Sequence, residues 1–307
     1  NSGCAVIIQR DYVTLRGFNI TNSFEDDDPL YSSGIKIKTD FNIVENNLIT
    51  DSYVGILLDK AEYNTIQNNS IDAVDIGIML ARSNLNTIQY NVIHSADEHD
   101  IEIGKFGYSD TGSQSNNIID NKEIEKIYFE DSSTNLLLDQ TVGTIELVVS
   151  EENSAIGLNY NYIICDSNSS IYLKNYLEIN VSRENSPQAD VDLKVWNGTT
   201  IVYRTPYFDG SDSTTNSQGK TPDSILVIYR VYDGSSIGSD IITQMKIRVG
   251  DWFDSEQSLL DEDKQFDFDV PVFRIINQNT GVEYNYIQRA IDNATVGDTI
   301  FLSSGEY

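Results

Sequence analysis

The chain has 307 residues, which is enough for two domains with separate hydrophobic cores. Its 48 acidic and 20 basic residues give a formal net charge of −28, which argues against binding to nucleic acid or to anionic membrane surfaces. Because no run approaches the ~20 apolar residues of a membrane-spanning helix, we expect no membrane insertion of this segment. We also expect no cofactor, although the excess of carboxylates would suit Ca²⁺.

A short pattern, Asn-x-Ile/Val-x-x-Asn-x-Ile, repeats along the first part of the chain. Its second asparagine falls at Asn47, Asn69 and Asn91, in two steps of 22 residues. Apolar and polar residues alternate within each repeat, which is the period of a β-strand. A strand-helix-strand unit needs roughly 30 residues, so each repeat is too short to hold a helix. The pattern therefore predicts short strands stacked coil upon coil, as in a parallel β-solenoid.

Three kinds of residue should stack from coil to coil. Aliphatic side chains would fill the interior in ladders about 4.8 Å apart. The repeated asparagines would form an amide ladder at a sharp bend, because Asn tolerates the left-handed backbone conformation. Glycine also recurs once per coil, and we expect it at a bend. The aliphatic positions are Val44, Ile66 and Ile88, and the glycines are Gly34, Gly55 and Gly77.

Two longer intervals interrupt the 22-residue period. The polar stretches Asn22–Ser33 and Gly104–Ser115 explain them as inserted loops. Phe18 occupies the position of the ladder asparagine before the first insertion, and Asn121 continues the ladder after the second. We therefore expect one continuous solenoid with two loops.

These repeats resemble the right-handed parallel β-helix family. Members of that family include pectin-lyase-like enzymes, periplasmic copper-maturation proteins and many bacterial and archaeal surface proteins. The resemblance covers residues 1–140, which we assign to a parallel β-helix domain. It implies a fold more specifically than a function.

Residues 141–272 lose the period and show longer alternating strands, which predict an immunoglobulin-like β-sandwich. The dipeptide Asn197-Gly198 predicts a tight hairpin between two of them. The segment Thr205–Asp212 resembles sandwich modules of archaeal cell-surface proteins. The expected strands are Thr144–Val149, Tyr176–Ser182, Val191–Trp196, Ile201–Arg204, Ile225–Tyr232 and Ile241–Val249.

Residues 273–307 resemble the opening of a pectin-lyase-like β-helix, in which a short amphipathic helix caps the solenoid before its first strand. The first residues of the chain, in contrast, read as a β-helix that lacks this cap. We therefore expect the C-terminal segment to complete the β-helix of a neighbouring copy or, alternatively, its own. The residues that carry this expectation are Tyr286, Ile287, Ala290, Ile291, Ile300, Leu302 and Tyr307.

Polysaccharide lyases and hydrolases on this fold use clustered or paired acidic residues, and the stretch His94–Glu102 is the densest such cluster. Its candidate metal or acid–base residues are Asp97, His99, Asp100 and Glu102. Their spacing matches no ligand motif, so a solvated loop is the alternative, and we assign no catalytic residue. The runs Asp26–Asp28 and Asp261–Asp263 are likewise loops or Ca²⁺ sites.

Aromatic residues of the expected sandwich offer a further candidate site. They would line a sugar-binding groove or pack against the strands, since tyrosine favours half-buried sheet surfaces. These residues are Tyr203, Tyr207, Phe208, Tyr229 and Tyr232.

Export would expose the chain to oxidation and glycosylation. Cys4 and Cys165 form either a disulfide or two separate thiols. Six Asn-x-Ser/Thr sequons are glycosylation candidates. They begin at Asn19, Asn68, Asn168, Asn180, Asn197 and Asn293.

Together these features favour an extracellular structural or adhesive surface protein that is not an enzyme. We expect its partners to be other copies of itself, joined head to tail in a filament or tandem stalk. The alternatives are a carbohydrate-binding module that contacts surface glycans and a polysaccharide lyase or hydrolase.

Overall fold

The chain folds into two compact units, in which strands account for nearly all the regular structure. The computed structural model describes residues 3–21, 32–94, 96–104, 112–222, 224–249, 252–270, 275–284 and 287–302. The first unit comprises Asn1–Lys174 and Arg230–Ser239, and the second comprises Asn175–Tyr229 and Asp240–Tyr307. Most of the two expected insertions, residues 22–31 and 105–111, lies outside the described residues.

Strands of the first unit wind as a parallel solenoid. One sheet has the order β1-β4-β6-β8-β11-β13-β15-β17, and a second has the order β2-β5-β7-β9-β12-β14-β16, with residues 170–174 of β18 at its end. The strands are β1 (Val6–Ile8), β2 (Thr14–Arg16), β3 (Asn19–Thr21), β4 (Ser33–Ile37), β5 (Ile43–Glu45), β6 (Leu48–Asp59), β7 (Thr65–Gln67), β8 (Ser70–Ala81), β9 (Thr87–Gln89), β10 (Val92–His94), β11 (His99–Gly104), β12 (Asn117–Ile119), β13 (Ile124–Glu130), β14 (Leu136–Leu138), β15 (Thr141–Val148), β16 (Asn153–Ile156), β17 (Asn159–Cys165) and β18 (Ser170–Arg183).

Aliphatic side chains fill the interior of the solenoid as the repeat predicts. Val44 pairs with Ile66, and Ile66 pairs with Ile88, so that each lies directly above the previous one. All three are fully buried. The ladder then continues through Ile118, Leu137, Ala155 and Leu173. This apolar column is the core that holds the coils in register.

Side-chain amides form a second buried column. The Oδ1 atom of Asn69 accepts a hydrogen bond from the Asn47 backbone N–H at 3.0 Å, and its Nδ2 donates to the Val44 carbonyl at 2.9 Å. Asn91 repeats both contacts one coil later. Each amide therefore satisfies backbone groups of the preceding coil that would otherwise be buried without a partner.

The ladder asparagines do not adopt the left-handed conformation that we expected of them. The residue before each of them does, with φ values of 55° at Asn46, 54° at Asn68 and 56° at Tyr90. The left-handed residue makes the bend, and the asparagine that follows points its amide into the stack. The expected position of the left-handed residue was therefore wrong by one, because it precedes the asparagine.

The recurring glycines also lie elsewhere than expected. Gly55 and Gly77 are inside β6 and β8 rather than at bends. A Cβ atom on Gly55 would lie 2.6 Å from the Gly77 carbonyl oxygen and 2.6 Å from a methyl group of Ile71. Glycine is required here because adjacent coils approach closely, not because the backbone turns.

The solenoid extends beyond the expected boundary at residue 140. Strand β15, which we expected in the sandwich, pairs in parallel with β13 and β17, and β18 pairs in parallel with β16 as far as Lys174. Coil length changes along the stack, which hides the period. The first asparagine of each repeat forms a second amide column, and its successive members are separated by 22, 30, 19 and 18 residues. These members are Asn64, Asn86, Asn116, Asn135 and Asn153.

Residues Arg230–Ser239 cover the last coil of the solenoid. The Cys165 N–H donates to the Ser236 hydroxyl at 3.1 Å, and the Gly234 N–H donates to the Ser169 carbonyl at 2.9 Å. The hydroxyl groups of Tyr160 and Tyr232 are 3.1 Å apart. A segment distant in sequence therefore satisfies part of the final strand edge, which would otherwise be open to other chains.

Antiparallel strands build most of the second unit. Four of them form the sheet β21-β20-β24-β25, and residues 177–182 of β18 pair in parallel with β26. Buried and exposed residues alternate along β18 and β20, so each sheet has one buried face, as in a sandwich. The immunoglobulin-like class stays a prediction. The strands from residue 186 onward, of which β22 and β23 are each divided between the two units, are β19 (Ser186–Pro187), β20 (Asp192–Asn197), β21 (Thr200–Arg204), β22 (Ile225–Asp233), β23 (Ser239–Asp240), β24 (Ile242–Val249), β25 (Trp252–Leu259) and β26 (Lys264–Asp269).

The hairpin between β20 and β21 forms one residue later than its sequence signal. Asn197 pairs with Thr200, so Gly198 and Thr199 make the turn. Asn197 is instead part of the strand and only 8% exposed.

The C-terminal segment contains the expected helix and strand. Helix α1 (Ile287–Asp292) lies between β28 (Val282–Tyr284) and β29 (Ile300–Leu302), and both strands pair antiparallel with β27 (Ile275–Asn277). Its role as a cap stays a prediction.

Candidate functional site

Asp100, the central residue of the expected acidic site, has a structural role. It is 1% exposed, and its Oδ1 accepts a hydrogen bond from the Ala96 N–H at 3.1 Å. Its Oδ2 accepts hydrogen bonds from the N–H groups of Glu125 at 2.6 Å and Lys126 at 2.8 Å. Burial raises the pKa of Asp100 above its ordinary value, and these donors limit the rise. The carboxylate therefore fastens β11 to the start of the next coil.

The other expected residues do not converge on one point with Asp100. His99 Nδ1 lies 2.9 Å from Glu102 Oε2, and both side chains are largely buried. The His99 ring stacks on Tyr128 with a centroid distance of 4.6 Å, and burial raises the pKa of Tyr128 to about 12. Asp97 is exposed. Within the described part of the chain, no group of three or more His, Cys, Asp or Glu side chains could hold a metal ion.

The acidic run near residue 261 is also used by the fold. The Asp263 carboxylate accepts a hydrogen bond from the Tyr176 N–H at 2.6 Å, and Asp261 lies 3.2 Å from the Lys264 ammonium group. These contacts give Asp263 and Asp261 structural partners within the second unit. The Asp26–Asp28 run lies outside the described residues.

Most of the candidate sugar-binding aromatic residues are buried. Tyr203, Tyr229 and Tyr232 are each at most 8% exposed, so they pack within the units. Tyr207 is 48% exposed, but the Arg248 guanidinium lies 3.6 Å from the centre of its ring. Only Tyr207 and the partly buried Phe208 beside it retain accessible ring surface.

An exposed aromatic stack runs along one corner of the solenoid, and no motif in the sequence marks it. The rings of Tyr12 and Phe41 are 5.2 Å apart, and those of Phe41 and Tyr63 are 5.0 Å apart, both nearly parallel. All three residues have left-handed backbone conformations, which are unusual for aromatic residues. The stacked rings cover each other's facing sides, so at the first end of the stack the outer side of the Tyr12 ring is exposed.

The second unit contains a cleft that the sequence did not reveal. It has a volume of about 220 Å³ and lies between β21 and the loop that follows it. Its polar lining residues are Arg204, Ser211 and Asp212. The sequence signal for this cleft was the composition of the loop, in which Gly210 lies between Asp209 and Asp212.

The sequons differ in their accessibility. Asn197 is an unsuitable acceptor, because its Nδ2 donates to the Ile228 carbonyl at 2.6 Å inside the second unit. Asn180 is partly buried, and its Nδ2 donates to Asp267 at 2.9 Å. The exposed candidates are Asn19, Asn68, Asn168 and Asn293. Among the described residues, no disulfide joins the two cysteines: Cys4 is partly buried and Cys165 is buried.

The expected assembly segment is only partly buried. Ala290 is fully buried, whereas Ile291, Phe301 and Leu302 are exposed. Ile287 and Ile300 are intermediate. Tyr286 and Tyr307 lie outside the described residues.

Residues 1–143 match the family model described as right handed beta helix region. This part of the chain is a right-handed parallel β-helix, and the match ends within β15. No curated protein matches the chain. Among the described residues, no helix is long and apolar enough to cross a bilayer. The fold by itself leaves the function open, since function resides in particular sites.

Proposed function

We propose that this protein is an extracellular structural or adhesive surface component whose copies join head to tail. The observation that carries the proposal is an asymmetry between the two ends of the β-helix. Among the described residues, Arg230–Ser239 cover the last coil, whereas Tyr12 and Phe18 are exposed in the first. Such an arrangement favours contacts between unlike surfaces, and these contacts build open filaments when they do not close into a ring.

The first coil offers an apolar acceptor surface. Tyr12 is 78% exposed and Phe18 is 54% exposed. Strand β2 pairs with β5 on one side, and within the described residues it has no strand on the other. An exposed strand edge beside apolar rings is a template for another chain.

The C-terminal segment supplies a matching donor. Phe301 and Leu302 on β29 are exposed, as is Ile291 on the neighbouring helix. All three are apolar side chains exposed on a segment that resembles a solenoid cap. We propose that residues 273–307 of one copy cover the first coil of the next.

Variants of the two surfaces would test this junction by analytical ultracentrifugation. Wild type should form concentration-dependent oligomers of the 34.5-kDa chain. Phe18→Asp should block the acceptor and Phe301→Asp the donor, so that each alone is monomeric. A mixture of the two retains one working acceptor and one working donor, and it should stop at dimers.

Tyr162→Asp is the matched control, because Tyr162 is 69% exposed on β17, in the last coil of the solenoid and not in the first. It should assemble like wild type. A wild-type chain that stays monomeric up to high concentration would refute the assembly, and so would assembly that persists after deletion of residues 273–307.

A net charge of −28 favours solubility, which fits an exported surface protein. Exposed sequons at Asn68 and Asn168 fit the same location. Engagement of Asp100 by three backbone N–H groups argues against an enzyme at the acidic cluster. Mass spectrometry of the protein from its native source, with glycan found on Asn68 and absent from Asn197, would support export.

A further inference from the structure

The cleft beside β21 is shaped before any ligand arrives. The Arg204 N–H donates to Asp212 Oδ2 at 2.5 Å, and the Asp212 N–H donates back to the Arg204 carbonyl at 3.0 Å. The Gly210 N–H also donates to the Thr205 carbonyl at 3.0 Å. These bonds fold the loop onto the strand and fix the relative positions of the lining residues.

Gly210 allows this close approach. A Cβ atom at this position would lie 1.7 Å from the Arg204 carbonyl oxygen, which no real side chain tolerates. The loop begins with a 3-10 turn at Pro206–Phe208, and Asp192 Oδ1 accepts a hydrogen bond from the Thr205 hydroxyl at 2.8 Å. Both ends of the loop are therefore anchored, so binding would cost little ordering of the protein.

The lining combines groups of opposite hydrogen-bonding character. The Arg204 side chain is partly exposed, and its guanidinium has no hydrogen bond or ion pair among the described residues. Asp212 Oδ1 remains an acceptor, because only Oδ2 receives the Arg204 N–H. Ser211 adds an exposed hydroxyl group, and Ile201 and Val202 supply an apolar wall.

This combination selects one class of ligand. The Asp212 carboxylate and the net charge of −28 disfavour an anion, while the Arg204 guanidinium disfavours a cation. An uncharged sugar ring has hydroxyl groups that both donate and accept, and C–H groups that pack on an apolar wall. We propose that this cleft binds a single neutral sugar ring, with Arg204 and Asp212 as its polar contacts. This site is independent of the head-to-tail junction.

The test is a titration of the full chain, labelled with ¹⁵N or observed by saturation-transfer NMR, with glucose, galactose, mannose and N-acetylglucosamine. At least one sugar should bind saturably. Arg204→Gln should weaken that binding by about tenfold or more, because a charged hydrogen bond contributes about 1.5–3 kcal/mol. The fold should survive this change, since the bond to Asp212 uses the Arg204 backbone N–H.

Arg10→Gln is the matched control, because Arg10 is exposed in the first unit. It removes the same charge and should leave sugar binding unchanged. Sulfate and acetate are the competing probes for an anion site. Stronger binding of either anion than of any sugar, no saturable sugar binding, or equal binding by Arg204→Gln would each overturn the proposal.

Discussion

Replacing Asn69 with alanine should destabilise the β-helix more than any exposed substitution in the same coil. The change deletes the acceptor of the Asn47 N–H and the donor to the Val44 carbonyl, both of which are buried. Each buried group left without a partner costs about 1–3 kcal/mol. Two such groups predict a loss of about 4 kcal/mol, to which the small cavity left by the side chain adds.

The neighbouring residue is the matched control. Asn68 is exposed and has a φ of 54°, a conformation that glycine adopts without steric strain. Asn68→Gly should therefore change stability by less than about 1 kcal/mol, as expected for an exposed site. This variant tests whether a substitution near the bend lowers stability regardless of which residue is replaced.

Hydrogen exchange measured by mass spectrometry is the appropriate assay, because a chain with two units need not unfold in one step. Asn69→Ala should accelerate exchange of β5, β7 and the amides around them, whereas Asn68→Gly should not. Equal protection in wild type and Asn69→Ala, or equal losses in both variants, would refute the assignment of stability to the amide ladder.

Gly77→Ala should destabilise the chain by about 2 kcal/mol or more, because its Cβ would lie 2.5 Å from a carbonyl oxygen of the neighbouring strand. An unchanged thermal midpoint would contradict this close approach. With a thiol reagent at pH 8, Cys4 should react first and Cys165 only on unfolding, because burial raises the pKa of Cys165; two equally fast thiols would contradict its burial. The hydrogen bond from Gln67, and then Arg16, lowers the pKa of Glu45 below its ordinary value of 4.5. The stability that the Glu45 carboxylate contributes is therefore present above pH 4.5 and is lost as the pH falls through its lowered pKa. Glu45→Gln should flatten the fall in melting temperature under acid. An unchanged fall would refute this coupling between the Glu45 carboxylate and stability.

The early coils could be predicted because their lengths are equal and their ladder residues are identical. The later coils could not be predicted in this way, because shorter turns reduce the spacing between equivalent residues while the same contacts persist. Gln140, for example, replaces the ladder asparagine, and its Oε1 accepts a hydrogen bond from the Asn121 N–H at 3.1 Å. The contact is conserved in geometry but not in residue type, so a search for repeated asparagine misses it.

The candidate sites were less predictable, because their decisive partners are distant or belong to the backbone. The N–H groups that occupy Asp100 belong to Glu125 and Lys126, which lie in the next coil. No side-chain motif encodes that contact. The cleft in the second unit likewise depends on how closely Gly210 approaches Arg204, which composition alone does not specify.

The segment that covers the last coil has a consequence for biosynthesis. Because Arg230–Ser239 belongs to the first unit, the ribosome must make residues 175–229 before that unit is whole. The second unit is also interrupted, since it resumes at Asp240. Any uninterrupted fragment that contains all of one unit therefore also contains part of the other. During synthesis the final coil exposes an incomplete strand edge, and this interval is when a chaperone or a neighbouring nascent chain would compete for it.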